Sequence, residues 1–176
     1  MGCNAMTGRE EILNSRRQFL AKIKNVNEKK GLEIGPLDSP LVTRDDLLVG
    51  GEIFYLDHLP TNELRENYRE DCSVDIDQIV PIDFICPDGD LLKAVGGKKF
   101  DYIVASHVIE HSPNVLKFLS NISMMLVPGG YVFLVVPDKR FSFDRYRPLT
   151  TFGVLLESFL ADQKRPGISS VYDHFS

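Results

Sequence analysis

Polar and ionisable residues cluster at five places in this sequence, each directly after a short apolar run. They are Glu33 to Asp38, Asp57 and His58, Cys86 to Asp90, Ser106 to His111, and Asp138 to Arg140. In an open parallel sheet such positions are the carboxyl ends of strands, the place where ligands bind. The first cluster lies in LEIGPLDSP, residues 32–40. It resembles a turn that hands a nucleotide-binding strand to a helix, but carries a single glycine. A pyrophosphate needs several close backbone approaches at a helix N-terminus, which two or three glycines permit. Here Leu37 and Pro40 stand where further glycines would be, Pro36 has no amide proton, and Asp38 adds negative charge. The turn is unsuited to phosphate, and no Walker lysine loop is present. Glu33 and Asp38 suit a cationic ligand instead, with Gly35 as its one close backbone contact.

Asp57 follows Gly35 by 22 residues and closes the next apolar run. A carboxylate there can accept hydrogen bonds from both hydroxyls of a ribose, although a capping or solvated aspartate is the alternative. A nucleoside with a cationic tail meets both conditions; S-adenosylmethionine, with its ribose, sulfonium and ammonium, is such a molecule. Transfer from its sulfonium asks the protein chiefly to align an acceptor atom and exclude water, and an oxygen acceptor gains from a base. His107, Glu110 and His111 are the candidates, with His111 first. The alternative is that Glu110 and His111 cap the following helix and His107 contacts cofactor only. Lys139, Arg140, Arg145 and Arg147, interleaved with Phe141, Phe143 and Tyr146, suit either an anionic sugar-type acceptor or a solvated face.

The elements that would position these groups follow from apolar spacing. Thr7 and Glu10 form a capping box before an amphipathic helix over about residues 8–26, marked by Ile12, Leu13, Phe19, Leu20, Ile23 and Val26. Strands are predicted at 31–35, 52–57, 80–86, 100–106 and 131–137, several of them apolar on both faces, as buried parallel strands are. Helices are predicted at 61–69, at 112–126 and at 151–162. In the second of these, Ser112 is the cap, Pro113 the first residue, and Pro128-Gly129-Gly130 the stop. Strands alternating with helices imply an α/β fold with a doubly wound, mostly parallel sheet. No repeat or low-complexity linker divides the chain, so residues 1–176 read as one domain.

Composition narrows the function. With 43% apolar and 26% charged residues in 176, the chain can build one sizeable core. A net charge of −5 supplies no basic stripe for nucleic acid and no patch for an anionic membrane. Cys3, Cys72 and Cys86 are too far apart for a zinc site or a disulfide framework, so reduced thiols and no bound metal are expected. The start, MGCNAM, has Met6 where a myristoylation signal wants Ser or Thr, and no signal-peptide run follows; a cytoplasmic address is the default.

The ordered set LEIGPLDSP, the Asp57 strand end, CPDGDLL, FDYIVASHVIEH, LVPGG and YVFLVVPDKRFSFDRYRP resembles the class I S-adenosylmethionine-dependent methyltransferases over about residues 30–150. The likeness is strongest to bacterial members associated with glycan and polysaccharide biosynthesis. It implies a Rossmann-like methyltransferase sheet of order 3-2-1-4-5, continued in the family by an antiparallel hairpin that this chain is expected to lack. By that resemblance Glu33 and Gly35 hold the methionine portion, Asp57 the ribose, and His58 the adenine. Asp88 and Gly89 border the adenine edge, while Ser106 and His107 close the fourth strand beneath the sulfonium. Leu37 and Ser39 depart from the family's glycines. The resemblance implies methyl transfer to a small-molecule or glycan-precursor acceptor; an inactive binding or assembly module of the same fold is the alternative. A chain without the hairpin is expected to be either a truncated form or one whose fifth strand is an exposed edge, to be covered by a partner or by a second copy in a homodimer.

Overall fold

The computed structural model describes residues 25–167 except 142 and 147, together with Asn14, Gln18 and Ala21. Asn14 and Gln18 are helical; the rest of the helix expected over 8–26 lies outside the described residues until Asn25, whose left-handed backbone (φ 56°) leads into a 3-10 turn at Val26–Glu28. Five strands follow: β1 (Lys30–Ile34), β2 (Glu52–Asp57), β3 (Phe84–Ile85), β4 (Phe100–Ser106) and β5 (Leu126–Val135). All pairings are parallel and the order is β3-β2-β1-β4-β5. The expected sheet order is therefore observed, and the switch point falls between β1 and β4.

Besides the N-terminal helical residues, the described residues form four α-helices beside the sheet: α1 (Thr61–Asn67), α2 (Leu91–Ala94), α3 (Val115–Met125) and α4 (Phe152–Leu160). On one face Leu32, Ile34, Leu56, Ile103 and Ala105 pack against Leu91 and Val95 near α2 and against Phe118, Ile122 and Met125 of α3. These contacts bury apolar area continuously along the central strands, which is where most of the folding free energy arises. On the other face Ile53, Tyr55, Tyr102 and Val104 are covered by Leu41, Val42, Leu47, Val80 and Ile82. That cover is coil. No α-helix connects β1 to β2; a 3-10 turn at Arg44–Asp46 stands in its place, because Pro36 and Pro40 deny the first turns their amides and Gly50-Gly51 follows closely. The turn at residues 35–40 thus does not lead into a helix.

Three further boundaries differ from the expectation. The strand predicted at 80–86 contracts to Phe84–Ile85, because its amides are used elsewhere: Val80 N donates to Leu37 O (3.1 Å), Pro81 has none, and Ile82 N donates to Thr61 Oγ1 (2.9 Å). The helix predicted from 112 begins at Val115, where Asn114 is the cap; Ser112 Oγ accepts from Asn114 N (3.3 Å) and so braces the cap from outside the helix. Pro128-Gly129-Gly130 does not stop the helix but lies inside β5. The helix ends at Met125, and the three residues form an irregularity between the pairs Phe100↔Leu126 and Tyr102↔Tyr131, with Gly129 at φ 77°.

β5 pairs only with β4 among the described residues, and Tyr131 and Val132 are exposed along it. After it come 3-10 turns at Lys139–Phe141 and Phe143–Tyr146 and then α4, with no further strand among the described residues. Asn114 joins α4 to the core. It is buried, its Oδ1 accepts from Lys117 N (3.0 Å), and its Nδ2 donates to Ser158 O of α4 (3.0 Å). Asn114→Ala removes a cap and an interhelical bond together and is expected to cost about 2 kcal/mol in urea unfolding; a loss below about 0.5 kcal/mol would show that the cap is dispensable.

Candidate functional site

The carboxyl edge of the sheet brings four of the five sequence clusters together, and the ladder shows how. Ile34 pairs with Leu56 on one side and with Ala105 on the other, so the β1 turn sits between the ends of β2 and β4. Gly35 N donates to Leu56 O (2.9 Å), which docks the turn beside Asp57. Asp57 pairs with Ile85, and Cys86 N donates to Asp57 O (2.8 Å), which brings Cys86 to Gly89 next to it. From the outer edge inwards the candidates run Asp88 and Gly89, Asp57 and His58, Gly35, then Ser106 and His107.

Glu33 points into the protein. It is 1% exposed, its Oε1 accepts from Leu41 N (2.8 Å) and its Oε2 from Val42 N (3.1 Å). Both oxygens thus serve the connection from β1 to β2, supplying the acceptors that a helix would have provided internally. Tyr55 reinforces the same stretch by donating its hydroxyl to Val42 O (2.8 Å). Burial foremost, and the Glu33 carboxylate next, raise the pKa of the Tyr55 and Tyr102 phenols, so both remain neutral. Asp38 also serves the loop: its Oδ2 accepts from Asp75 N (2.7 Å) and its Oδ1 from Ser39 Oγ (3.2 Å).

Gly35 is left-handed at φ 66°, and a Cβ built on it would come within 2.9 Å of Val108 Cγ2. The glycine is needed both for its conformation and for the close passage of the β4 turn. Leu37 is also left-handed at φ 47°. The backbone path of a glycine-rich turn is therefore kept, at a conformational cost of about 1 kcal/mol.

Asp57 is 7% exposed and its Oδ1 receives two donors of His58, the backbone N (2.7 Å) and ring Nδ1 (2.6 Å). Its Oδ2 has no hydrogen-bond partner among the described residues. Ser106 supplies a second unmet group, since its Oγ is buried without a hydrogen-bond partner. A buried hydroxyl left unpaired costs free energy, and such groups mark places where a ligand or an ordered water completes the site. Gly89 is left-handed at φ 75° with open space where a Cβ would be. The Asp90 amide first, and the Lys93 ammonium second, hold the Asp88 carboxyl below the usual carboxylate range. Burial foremost, and then Asp88, push the Cys86 thiol up to about 11, so it is a neutral thiol and no nucleophile at neutral pH.

His107 is left-handed at φ 56°, with its amide on Val135 O (2.9 Å) and its Nδ1 3.3 Å from Glu110 Oε1. His111 lies with Glu110 in the 3-10 turn Ile109–His111, exposed and with its backbone amide on Val108 O (3.0 Å). The basic run after β5 is largely self-engaged. Arg140 pairs with Asp138 (Nη2 to Oδ2 2.5 Å), and the Arg145 guanidinium stacks 4.7 Å from the Tyr146 ring centroid. Two surface clefts, one lined by Pro60, Asn62, Arg65 and Arg69 and the other by Lys99, Ser123 and residues 126–130, contain none of the strand-end candidates. Among the described residues no group of three or more His, Cys, Asp or Glu could hold a metal, and no helix is long and apolar enough to cross a membrane.

The donors and acceptors present fit a nucleoside with a cationic tail better than a dinucleotide. A carboxylate oxygen, a buried hydroxyl and one glycine approach converge, while no helix N-terminus exists at the turn to receive a pyrophosphate.

Comparison with known proteins adds a family. A family model described as "Methyltransferase domain" matches residues 7–157. A comparison with curated protein sequences finds no match. Among solved structures, a protein assigned as a sarcosine dimethylglycine methyltransferase, from Galdieria sulphuraria, is 17% identical with a TM-score of 0.51, over 70% of this chain and 46% of that one. A cyclopropane-fatty-acyl-phospholipid synthase-like protein from Lactobacillus casei is 20% identical with a TM-score of 0.48, over 72% and 50%. Coclaurine N-methyltransferase, solved with N-methylheliamine and S-adenosylhomocysteine, is 14% identical with a TM-score of 0.49, over 76% and 37%. The chain therefore spans half or less of the length of these three structures, and the likeness to the Galdieria protein is one of fold.

The Glu33 arrangement yields a stability prediction. Glu33→Ala strands the Leu41 and Val42 amides in a buried loop and is expected to destabilise the fold by about 2–4 kcal/mol in denaturant titration. Glu33→Gln, which keeps an acceptor, should lose less; equal losses from both would mean that the hydrogen bonds are not what the site depends on.

Proposed function

Because this chain belongs to the methyltransferase-domain family, we propose that it transfers a methyl group from S-adenosylmethionine to a small-molecule or glycan-precursor acceptor, in the cytoplasm. What carries the reading is the convergence at one sheet edge of the Asp57 carboxylate, the left-handed Gly35 turn and the unpaired buried hydroxyl of Ser106. S-adenosylmethionine supplies an activated methyl on a sulfonium leaving group.

In this reading Asp57 Oδ2 accepts from the ribose, and His58, with its ring on Oδ1, fixes the carboxylate plane and lies beside the adenine. Asp88 and Gly89 border the adenine edge. Gly35 lets the methionine portion approach the backbone, Glu33 keeps the loop around it in shape, and Ser106 offers its hydroxyl to the amino-acid end. The protein's contribution is orientation and exclusion of water, since the methyl group is already activated. His111 and His107 both stand within the turn that follows β4, so either can serve an acceptor that must lose a proton. The anionic-acceptor idea for Lys139, Arg140, Arg145 and Arg147 draws less support, because Asp138 engages Arg140 and Tyr146 engages Arg145, while Arg147 lies outside the described residues. The same proposal includes a second copy against the free edge of β5, where Tyr131 and Val132 are exposed; sedimentation of a Val132→Lys variant as a monomer beside a dimeric wild type is the expected result, and two identical sedimentation profiles would remove the homodimer from the proposal.

S-adenosylhomocysteine is expected to bind in calorimetric titration, and NAD to give no heat. Asp57→Ala should weaken binding about 100-fold, the worth of two hydrogen bonds to a carboxylate. Unchanged affinity in a folded variant would contradict the assignment of Asp57.

A further inference from the structure

We propose that α4 and the chain flanking it form a surface that docks on an anionic lipid bilayer. The inference goes beyond the methyl-transfer reading and does not depend on it. Its first support is the orientation of α4. Along Leu155, Ser158 and Asp162 the helix is fastened to α3: Leu155 is half-buried, Asn114 Nδ2 donates to Ser158 O (3.0 Å), and Lys117 pairs with Asp162. Phe152, Leu156, Phe159 and Leu160, at i, i+4, i+7 and i+8, form the adjoining stripe and are 69%, 40%, 43% and 75% exposed. A helix on a folded domain ordinarily turns its apolar stripe to the core. This one turns it outwards, and Phe141, Tyr146 and Leu149, just before it in the chain, are more exposed still. Contiguous apolar surface of this kind marks a place that a partner or a membrane covers.

The second support is charge. Residues 139–165 hold six Lys and Arg against three Asp and Glu, whereas the whole chain holds 20 against 25. The net charge of −5, which as an average argues against an anionic membrane, thus conceals a basic stretch around one helix. Part of that charge is met locally, since Arg140 pairs with Asp138, but the acid Asp162 is likewise met by Lys117 of α3. Arg145 before the helix, and Lys164 and Arg165 after it, are exposed. Exposed Phe and Leu on one side with Arg and Lys at the ends compose a helix suited to a lipid interface: the apolar groups enter the acyl boundary and the cations meet anionic headgroups.

The third is shape. Neither of the two surface clefts borders α4, so its side chains project and line no groove of the sort a bound peptide or helix would need. A second copy docking by the same face would bring two basic surfaces together. A bilayer accepts projecting apolar groups and supplies the opposite charge.

The chain contains no tryptophan, so Phe152→Trp places a single emission on the stripe and keeps its apolar character. Vesicles of phosphatidylcholine and phosphatidylglycerol in equal parts are expected to move that emission to shorter wavelength, and acyl-brominated lipid to quench it. Binding to phosphatidylcholine alone should be about tenfold weaker. Phe152→Ser with Leu160→Ser, at the two most exposed positions of the stripe, should weaken co-sedimentation with the mixed vesicles at least about tenfold. An emission unmoved by the mixed vesicles, equal binding to both vesicle types, or undiminished co-sedimentation of the double variant overturns the proposal. A wild-type dimer that the double variant dissolves, without vesicle binding, overturns it too and gives the stripe to a second copy.

Discussion

A buried carboxyl holding two backbone amides is the constraint on which the rest of this structure depends. The connection from β1 to β2 contains no α-helix, so its amides must find acceptors outside the connection itself. Glu33 meets those of Leu41 and Val42 from inside the sheet, and Tyr55 ties the Val42 carbonyl from the next strand. The loop so held covers Ile53, Tyr102 and Val104 with Leu41 and Val42, closing one face of the core. It also continues to Arg44, whose guanidinium pairs with Asp83 (2.9 Å) while Asp83 accepts from Tyr55 N (2.8 Å). Chain entropy is thus lost once, and loop, core face and outer strand are fixed together.

The chemistry of the site follows from this arrangement. Removing the helix after β1 removes the dipole and the bank of free amides that a pyrophosphate uses, and leaves the turn to a ligand satisfied by a carboxylate, a hydroxyl and a single close backbone approach. Asp38, which on charge alone suits a cationic ligand, spends its oxygens on Asp75 N and Ser39 Oγ. Among the strand-end acidic residues, Asp57 keeps one oxygen without a partner among the described residues. The free Oδ2 of that residue and the unpaired Ser106 hydroxyl lie on opposite flanks of Gly35, as the parallel pairing of β1 with β2 and β4 requires.

Much of this was legible in the residues because burial and alternation coincide there. EIFYLD and FDYIVAS became strands at the expected bounds, and the position of Asp57 and Ser106 at their ends followed. What escaped was decided by partners distant in sequence. Nothing local in residues 80–86 reveals that Leu37 O and Thr61 Oγ1 will take their amides, and nothing in LVPGG distinguishes a helix stop from an irregular strand paired to β4. Glu33 read as a ligand group because its type and place suit one; only the fold shows that two amides eight and nine residues onward converge on it. His107 and Glu110, three residues apart, are a spacing that any turn could bring together, and the left-handed backbone that does so has no signature in an ordinary histidine.

Chemical-shift mapping of the labelled protein with S-adenosylhomocysteine tests the central claim most directly, since it asks where a nucleoside ligand sits rather than whether it binds. The account predicts that the amides of Gly35, His58, Gly89 and His107 shift on titration while those of Lys99 and Gly129, at the opposite end of the sheet, do not. Shifts confined to the opposite end, or none at saturating ligand, would contradict it.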